Sequence, residues 1–324
     1  MKNSKCQAVI MATNRTFMAD TSRKVFLALS LMLLFFIAFK GFLVSSWGPG
    51  ANYRNYSVHT AVNVTNAYPE ILNITCTNGT GITLNAGTTK AISCLIQARD
   101  YNGGDTINMA NATVHYYLNS SANPDDGNVH YTNSSCSQAN WDGYYANWTC
   151  VFDVWYYANN GTWVVNATVN DTYGKTGNNR GNATISSLLA LNVTNLIDFG
   201  QLAVTDYSSS IQANVTNFGN RQINITVYGF GDENETRYAG YAMICDQRNL
   251  TLPNERYALA SATDYDAMTP LTGAATTIPG FSLYQQTDDA QQVINATYWR
   301  LHVNITTNPF GVCNGTVIFA AQAS

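Results

Sequence analysis

Charge is scarce in this chain. Only 11% of its 324 residues are Asp, Glu, Lys or Arg, where a soluble domain usually carries about a quarter. Zinc-thiolate chemistry lacks a ligand set, because there is no Cys-x-x-Cys and no Cys/His cluster. The four histidines, His59, His115, His130 and His302, are scattered. G-x-S-x-G, H-E-x-x-H and the P-loop are all missing, which removes the common hydrolase and nucleotide-binding signatures. Beyond residue 48 no stretch repeats apolar residues at helical spacing.

An apolar share of 46% is enough for real cores, and the length suits about two domains. Asn, Thr, Ser, Gly and Tyr supply the polarity instead of ions. Residues 48–324 hold 36 Asn and 48 Ser or Thr, so chance placement gives about six Asn-x-Ser/Thr triplets. Twenty are present, at Asn55, Asn63, Asn73, Asn78, Asn111, Asn119, Asn133, Asn147, Asn160, Asn166, Asn170, Asn182, Asn192, Asn214, Asn224, Asn234, Asn249, Asn295, Asn304 and Asn314. Such triplets accept N-glycans on surfaces that have crossed a membrane. The bland alternative is that Asn and Thr merely fill outer strand faces as neutral polar residues. Asn is depleted from sheets, however, so a strand rule alone does not favour it.

One hydrophobic segment precedes all twenty. Residues 25–39 are uncharged and mostly apolar, and residues 41–47 extend them to a spanning length if Lys40 snorkels to an interface. Lys2, Lys5, Arg15, Arg23 and Lys24 stand before the segment against a single Asp20. Positive charge stays inside, so residues 1–24 are expected in the cytoplasm and residues 48–324 outside the cell. On this reading residues 25–47 are a single-pass signal anchor, residues 48–66 a tether, and the membrane is a partner. A cleaved leader remains open, with Val44 and Ser46 as small residues before a cut at Trp47. A pilin-like leader fits poorly, since Val25 occupies the cut and no Glu stands at the fifth position after it. The external part carries ten basic and nineteen acidic residues, which argues against nucleic acid as a partner.

Of seven cysteines, Cys6 lies on the cytoplasmic side and six lie outside, an even count suited to an oxidising exterior. Six thiols allow fifteen pairings. Local spacing suggests Cys76–Cys94, Cys136–Cys150 and Cys245–Cys313.

Apolar residues alternate with polar ones nearly everywhere beyond the segment, as in Leu191-Asn192-Val193-Thr194, Val165 to Val169, Ile223 to Val227 and Leu301 to Thr306. Each reads as a half-buried strand, with the Asn and hydroxyl residue of a triplet on the solvent face. Turn signals fall at Asn78-Gly79, Asn102-Gly103-Gly104, Pro124 to Gly127, Asn160-Gly161, Phe218-Gly219-Asn220 and Asn314-Gly315. The expectation is all-β, with two sandwiches over residues 67–187 and 190–324. The first unit's last hairpin runs through Trp148, Cys150, Phe152 and Val154 to Val165, Ala167 and Val169. Residues 173–184 read as a polar, Gly-rich turn.

The stretch from Ser134 to Trp163, with Y-x-x-W-T-C-x-F-x-V-W-Y-Y-A-N-N-G-T-W, resembles immunoglobulin-like repeats in predicted surface proteins of small-genome archaea. Those repeats often carry a third Cys in the strand after N-G-T-W, where this chain has Val164 and Val165. The C-terminal unit, with VTNFGN at 215–220 and a late CNGTVIFAA strand, is similar to sandwich domains of archaeal and Gram-positive surface or fibre proteins. The resemblance implies two Ig-like sandwiches behind the anchor, at the cell surface, with no catalytic residues to carry over.

Paired carboxylates at Asp125-Asp126, Asp232-Glu233-x-Glu235, Asp264-x-Asp266 and Asp288-Asp289 read as solvated turns. Calcium is the sharper alternative, but none matches a calcium-loop spacing, so no cofactor and no metal is expected. His302 is expected on a strand's solvent face. Adjacent tyrosines at Tyr116-Tyr117, Tyr144-Tyr145 and Tyr156-Tyr157 are expected on opposite faces, packing in sheets more than forming a sugar platform. The expected role is structural or adhesive, with other envelope proteins or cell-surface glycans as partners. A released or filament-forming subunit and a carbohydrate-binding module are the alternatives.

Overall fold

The computed structural model describes residues 56–77 and 81–324. The cytoplasmic lead, the 25–47 segment, Cys6, Asn55 and the Asn78-Gly79 turn lie outside them. Among the described residues no helix is long and apolar enough to cross a membrane. Residues 56–63 are exposed and form no regular element. Val64–Ser324 form one compact unit, to which everything below belongs.

Period-two alternation builds this unit. The first eight strands are β1 (Glu70–Cys76), β2 (Thr89–Arg99), β3 (Ile107–Tyr116), β4 (His130–Asn133), β5 (Ser137–Asp142), β6 (Tyr145–Trp155), β7 (Gly161–Asp171) and β8 (Thr176–Ile185). They form two antiparallel sheets, in the orders β1-β2-β6-β5 and β4-β3-β7-β8. Lettered along the chain with β4 as C′, these are the ABED and CFG sheets of a constant-type immunoglobulin sandwich plus one edge strand. Every second residue of β6 is buried, from Ala146 through Trp148, Cys150 and Phe152 to Val154. That row packs with Val165, Ala167 and Val169 of β7 in a single core. Each fully buried large side chain contributes about 1.5–3 kcal/mol through water exclusion.

Several expectations are corrected by the structure. β6 and β7 are not a hairpin, because they belong to opposite sheets and residues 156–160 cross between them. Their inward rows face each other across the core, which an alternation pattern cannot distinguish from pairing. Residues 176–185 are a strand rather than a turn. Its glycines leave room for β1, since a Cβ on Gly177 would run into the Pro69 carbonyl and one on Gly181 into Ile74.

The remaining strands are β9 (Leu191–Val193), β10 (Ile211–Asn217), β11 (Ile223–Gly231), β12 (Tyr241–Gln247), β13 (Leu250–Thr251), β14 (Glu255–Ala258), β15 (Thr269–Pro270), β16 (Thr276–Leu283), β17 (Ile294–Leu301) and β18 (Phe310–Ala323). They make sheets β15-β14-β17-β10-β9 and β13-β12-β18-β11-β16 around a second core that includes Trp299, Phe281, Ile223 and Ile225. The last strand lies between β11 and β12, so this strand order departs from the immunoglobulin one. Asn314-Gly315 is no turn but part of β18, where a Cβ on Gly315 would strike the Ala242 carbonyl. The strand expected over 301–306 stops at Leu301, and Ile305 is exposed.

Three disulfides are present: Cys76–Cys94, Cys136–Cys150 and Cys245–Cys313. These are the pairings local spacing suggests. Cys76–Cys94 and Cys245–Cys313 join neighbouring strands of one sheet, and Cys136–Cys150 ties the residue just before β5 to β6; Cys76 pairs with Cys94, Cys94 in turn with Cys150, and Cys245 with Cys313. The first two therefore form a row across one sheet instead of bridging two. Loop-closure entropy favours the longest loop, 68 residues for Cys245–Cys313 against 14 for Cys136–Cys150. Replacing both partners of Cys245–Cys313 with Ala is expected to cost about 4 kcal/mol, and the Cys136–Cys150 pair about 3 kcal/mol. Denaturant unfolding of the two double variants checks the order.

Candidate functional site

The surface is the first candidate. None of the eighteen described triplet asparagines is buried, whereas Asn217, Asn220 and Asn254, outside triplets, are. Asn182, Asn192, Asn234 and Asn314 are exposed and donate no side-chain hydrogen bond to a described residue. Asn166 differs, because its amide is committed to His115 Nε2 at 2.9 Å. The hydroxyl partners are less uniform than alternation predicts. Thr226 and Thr297 are buried. Thr226 lies between the core residues Ile225 and Val227 and its hydroxyl donates to the Ala320 carbonyl at 3.4 Å, and Thr297 Oγ1 accepts the Trp299 indole N–H at 2.8 Å.

The histidines are less scattered in space than along the chain. His115 and His130 are cross-strand partners with both rings buried and 6.2 Å apart. His130 Nδ1 lies 3.0 Å from Asp125 Oδ1. His302 is not a free surface residue; it stacks on Tyr207 at 4.1 Å. Among the described residues no three His, Cys, Asp or Glu side chains converge as a metal would require. The acid pairs stay in separate turns.

Tyrosine pairs also depart from expectation. Tyr144 and Tyr145 are both exposed at the tip of the β5–β6 hairpin, with Tyr101 6.0 Å from Tyr144 and Trp141 also exposed. Tyr156 and Tyr157 are both buried, because they sit in the crossing after β6 and not in a strand.

That crossing is half of a joint between the two cores. The Tyr156 hydroxyl donates to Gln286 Oε1 and its ring packs on Phe218 at 5.5 Å. Gln285 Nε2 donates to the Tyr157 carbonyl at 2.6 Å and to Asn159 Oδ1 at 2.9 Å. Buried Asn220 receives the Leu188 N–H at 2.7 Å and donates to the Ser186 carbonyl at 3.0 Å, which fastens the connecting segment. Asp171 fastens the other end of the first sandwich. Burial alone would raise its pKa, but hydrogen bonds from Asn66 and the amides of Lys175, Tyr173 and Gly174 outweigh that and hold it below the usual range.

The least expected feature lies inside the second sandwich. Glu255, at the start of β14, is 2% exposed and lines a chamber of about 220 Å³. Its carboxyl makes no side-chain hydrogen bond to a described residue, and burial pushes its pKa up to about 8. Val193, Ile197, Phe199, Met243, Val317 and Phe319 supply apolar walls. A larger groove of about 950 Å³ shares Leu196, Ile197, Phe199, Met243 and Gly315 with the chamber. Its rim is open, with Leu196, Phe310 and Val312 exposed. Sequence reasoning passed over Glu255 because it stands alone; the available signal was a carboxylate in phase with Tyr257 on an inward-facing row.

No family model and no curated protein matches this chain. Among solved structures it is similar to carbohydrate-binding modules of the β-sandwich superfamily, at 11% identity over 80% of this chain and 98% of the other, with a TM-score of 0.23. The chaperone–tip adhesion subunit pre-assembly complex of Acinetobacter baumannii Csu pili matches at 10% identity over 75% and 97%, TM-score 0.30. The C-terminal domain of the Streptococcus agalactiae AgI/II polypeptide BspA matches at 12% over 79% and 96%, TM-score 0.22. At such scores none of them lends this chain a function. The geometry itself predicts a pH signature. Between the ordinary carboxyl range and about 8, folded Glu255 keeps a proton that the unfolded chain has lost, so its contribution to stability falls as pH rises. From pH 5.5 to pH 8, wild type is expected to lose about 3 kcal/mol relative to Glu255→Gln. Asp171 titrates below this window. Paired denaturant melts at the two pH values check it.

Proposed function

We propose that this chain is an N-glycosylated cell-surface protein, held by residues 25–47 as a single-pass anchor, whose sandwiches play a structural or adhesive role without catalysis. The observation that carries it is the triplet excess together with its placement, since no described acceptor Asn is buried while three other asparagines are. Three disulfides support an oxidising location. The basic lead before an apolar segment supports the orientation, and the resemblance to archaeal envelope repeats supports the setting. A fastened joint suits a spacer that holds its far end away from the bilayer. The exposed cluster of Tyr101, Trp141, Tyr144 and Tyr145 favours a second reading, sugar binding by stacking, in which that hairpin tip is the contact.

Glycopeptide mapping of protein from its own cells tests the first reading. Occupancy is expected at Asn182, Asn192, Asn234 and Asn314 and not at Asn166, whose amide is committed to His115. Protease applied to intact cells is expected to remove residues 48–324. Bare asparagines at all four sites, or a protected tail, would remove the proposal. A mature N-terminus at Trp47 would replace the anchor with a secreted form.

A further inference from the structure

Glu255 is 2% exposed and its carboxyl makes no hydrogen bond to a described residue; holding a carboxyl in such a place is costly, and a purely structural position would be served as well by Leu or Gln. Glu255 pairs through its backbone with Leu301 in β17, which any residue can do. Glu255 also lines the chamber, whose walls are Val193, Ile197, Phe199, Met243, Val317 and Phe319 with Thr194, Asn195 and Thr316 as neutral polar neighbours. A cavity of about 150 Å³ with apolar walls holds a benzene ring, so about 220 Å³ takes a body of eight or nine heavy atoms. We propose that this chamber binds a small apolar molecule carrying one ammonium group, seated with the nitrogen on the Glu255 carboxylate.

Charge decides the class of ligand. No other titratable side chain lines the chamber, and the one that lines the adjoining groove, Asp198, is also acidic. Arg256, next along the strand, donates to the backbone carbonyls of Tyr265 and Asp266, each at 3.2 Å, and faces away. An anion meets nothing that welcomes it. A cation meets one carboxylate in surroundings of low dielectric, where a paired charge is strongest. The way in is the wall formed by residues 195–202. They are held at Thr194, through the Asn214 carbonyl, and at Thr205, through the Val303 carbonyl. Between those two points no backbone hydrogen bond ties the segment to a sheet among the described residues.

The proton balance is fixed. With the chamber empty at neutral pH the carboxyl holds a proton. An arriving ammonium brings its own, so the carboxyl proton leaves to solvent and one proton is released per ligand bound. Affinity therefore rises about ten-fold per pH unit below the carboxyl's own range and levels off above it.

Calorimetric titration of the full-length protein with phenethylamine at pH 6, 7 and 8, in two buffers of different ionisation enthalpy, tests this. Phenethyl alcohol serves as the uncharged control. Saturable amine binding is expected, about ten-fold tighter at pH 7 than at pH 6, with about one proton released. The alcohol is expected to bind more weakly and without pH dependence. Glu255→Gln is expected to abolish the pH dependence, and Val317→Trp, which fills the chamber, to abolish both ligands. The wild-type pH profile stands as a test even where a variant does not fold. Absence of saturable amine binding, equal affinity at pH 6 and 8, or unchanged binding in a folded Val317→Trp would overturn the proposal.

Discussion

Closure of two sheets over one apolar layer is what the rest of this structure depends on. In the first sandwich it is complete. Trp148, Phe152 and Val154 from one sheet meet Val165, Val169 and Trp163 from the other, and all are nearly inaccessible. The second sandwich closes equally well around Trp299 and Phe281 but fails at one end. There β18 presents Gly315 and Thr316, β9 has only three residues, and the chain from Thr194 to Thr205 forms no strand. Val317, Phe319 and Ala321 of the central strand β18 stay only half-buried as a result. The Glu255 chamber is the space that this missing closure leaves.

Much of the strand content was legible because the period of two is a direct consequence of one wet and one dry face. Rows such as Ala146 to Val154 announce which residues go inside. The same row does not reveal which strand lies beside it, so β6 and β7 read as a hairpin although they face each other from opposite sheets. Glycines misled for a related reason. Gly177, Gly181 and Gly315 look like turn residues in sequence, yet they mark places where another backbone passes too close for a side chain. Phe218-Gly219-Asn220 reads as a turn, and it links β10 to β11, but nothing local shows that Asn217 and Asn220 are the residues that fasten it. Asn217 holds the turn by donating to the Arg221 and Tyr284 carbonyls at 2.8 and 2.9 Å, while Asn220 grips the connecting segment. The chamber was not legible, since Glu255 acquires its character only from elements distant in sequence.

Low charge shapes the outside as strongly as alternation shapes the inside. Among the described residues the ion pairs are few, such as Arg99–Glu70 at 2.6 Å on an exposed edge, and exposed pairs of this kind contribute little. Covalent bonds take over the task of holding strands in register. In-sheet disulfides suit it better than a bridge across the core, because they fix pairing between neighbours directly. Cys94 and Cys150 are cross-strand partners, so Cys76–Cys94 and Cys136–Cys150 lie side by side and both secure one sheet, the second from the residue just before β5. That sheet also bears the exposed aromatic hairpin tip of Trp141, Tyr144 and Tyr145.

The joint completes the mechanical picture. It is largely polar, built from Asn128, Asn220, Gln285 and Gln286 against backbone carbonyls and amides, with Tyr156 packed on Phe218 as a large apolar contact. An apolar joint would resist separation but tolerate sliding, since hydrophobic attraction has no preferred direction. Hydrogen bonds from buried amides have narrow geometry, and breaking one leaves a desolvated group unpaired. The two cores are therefore fixed in angle as well as in distance. For the spacer role proposed above, that property matters more than extra stability.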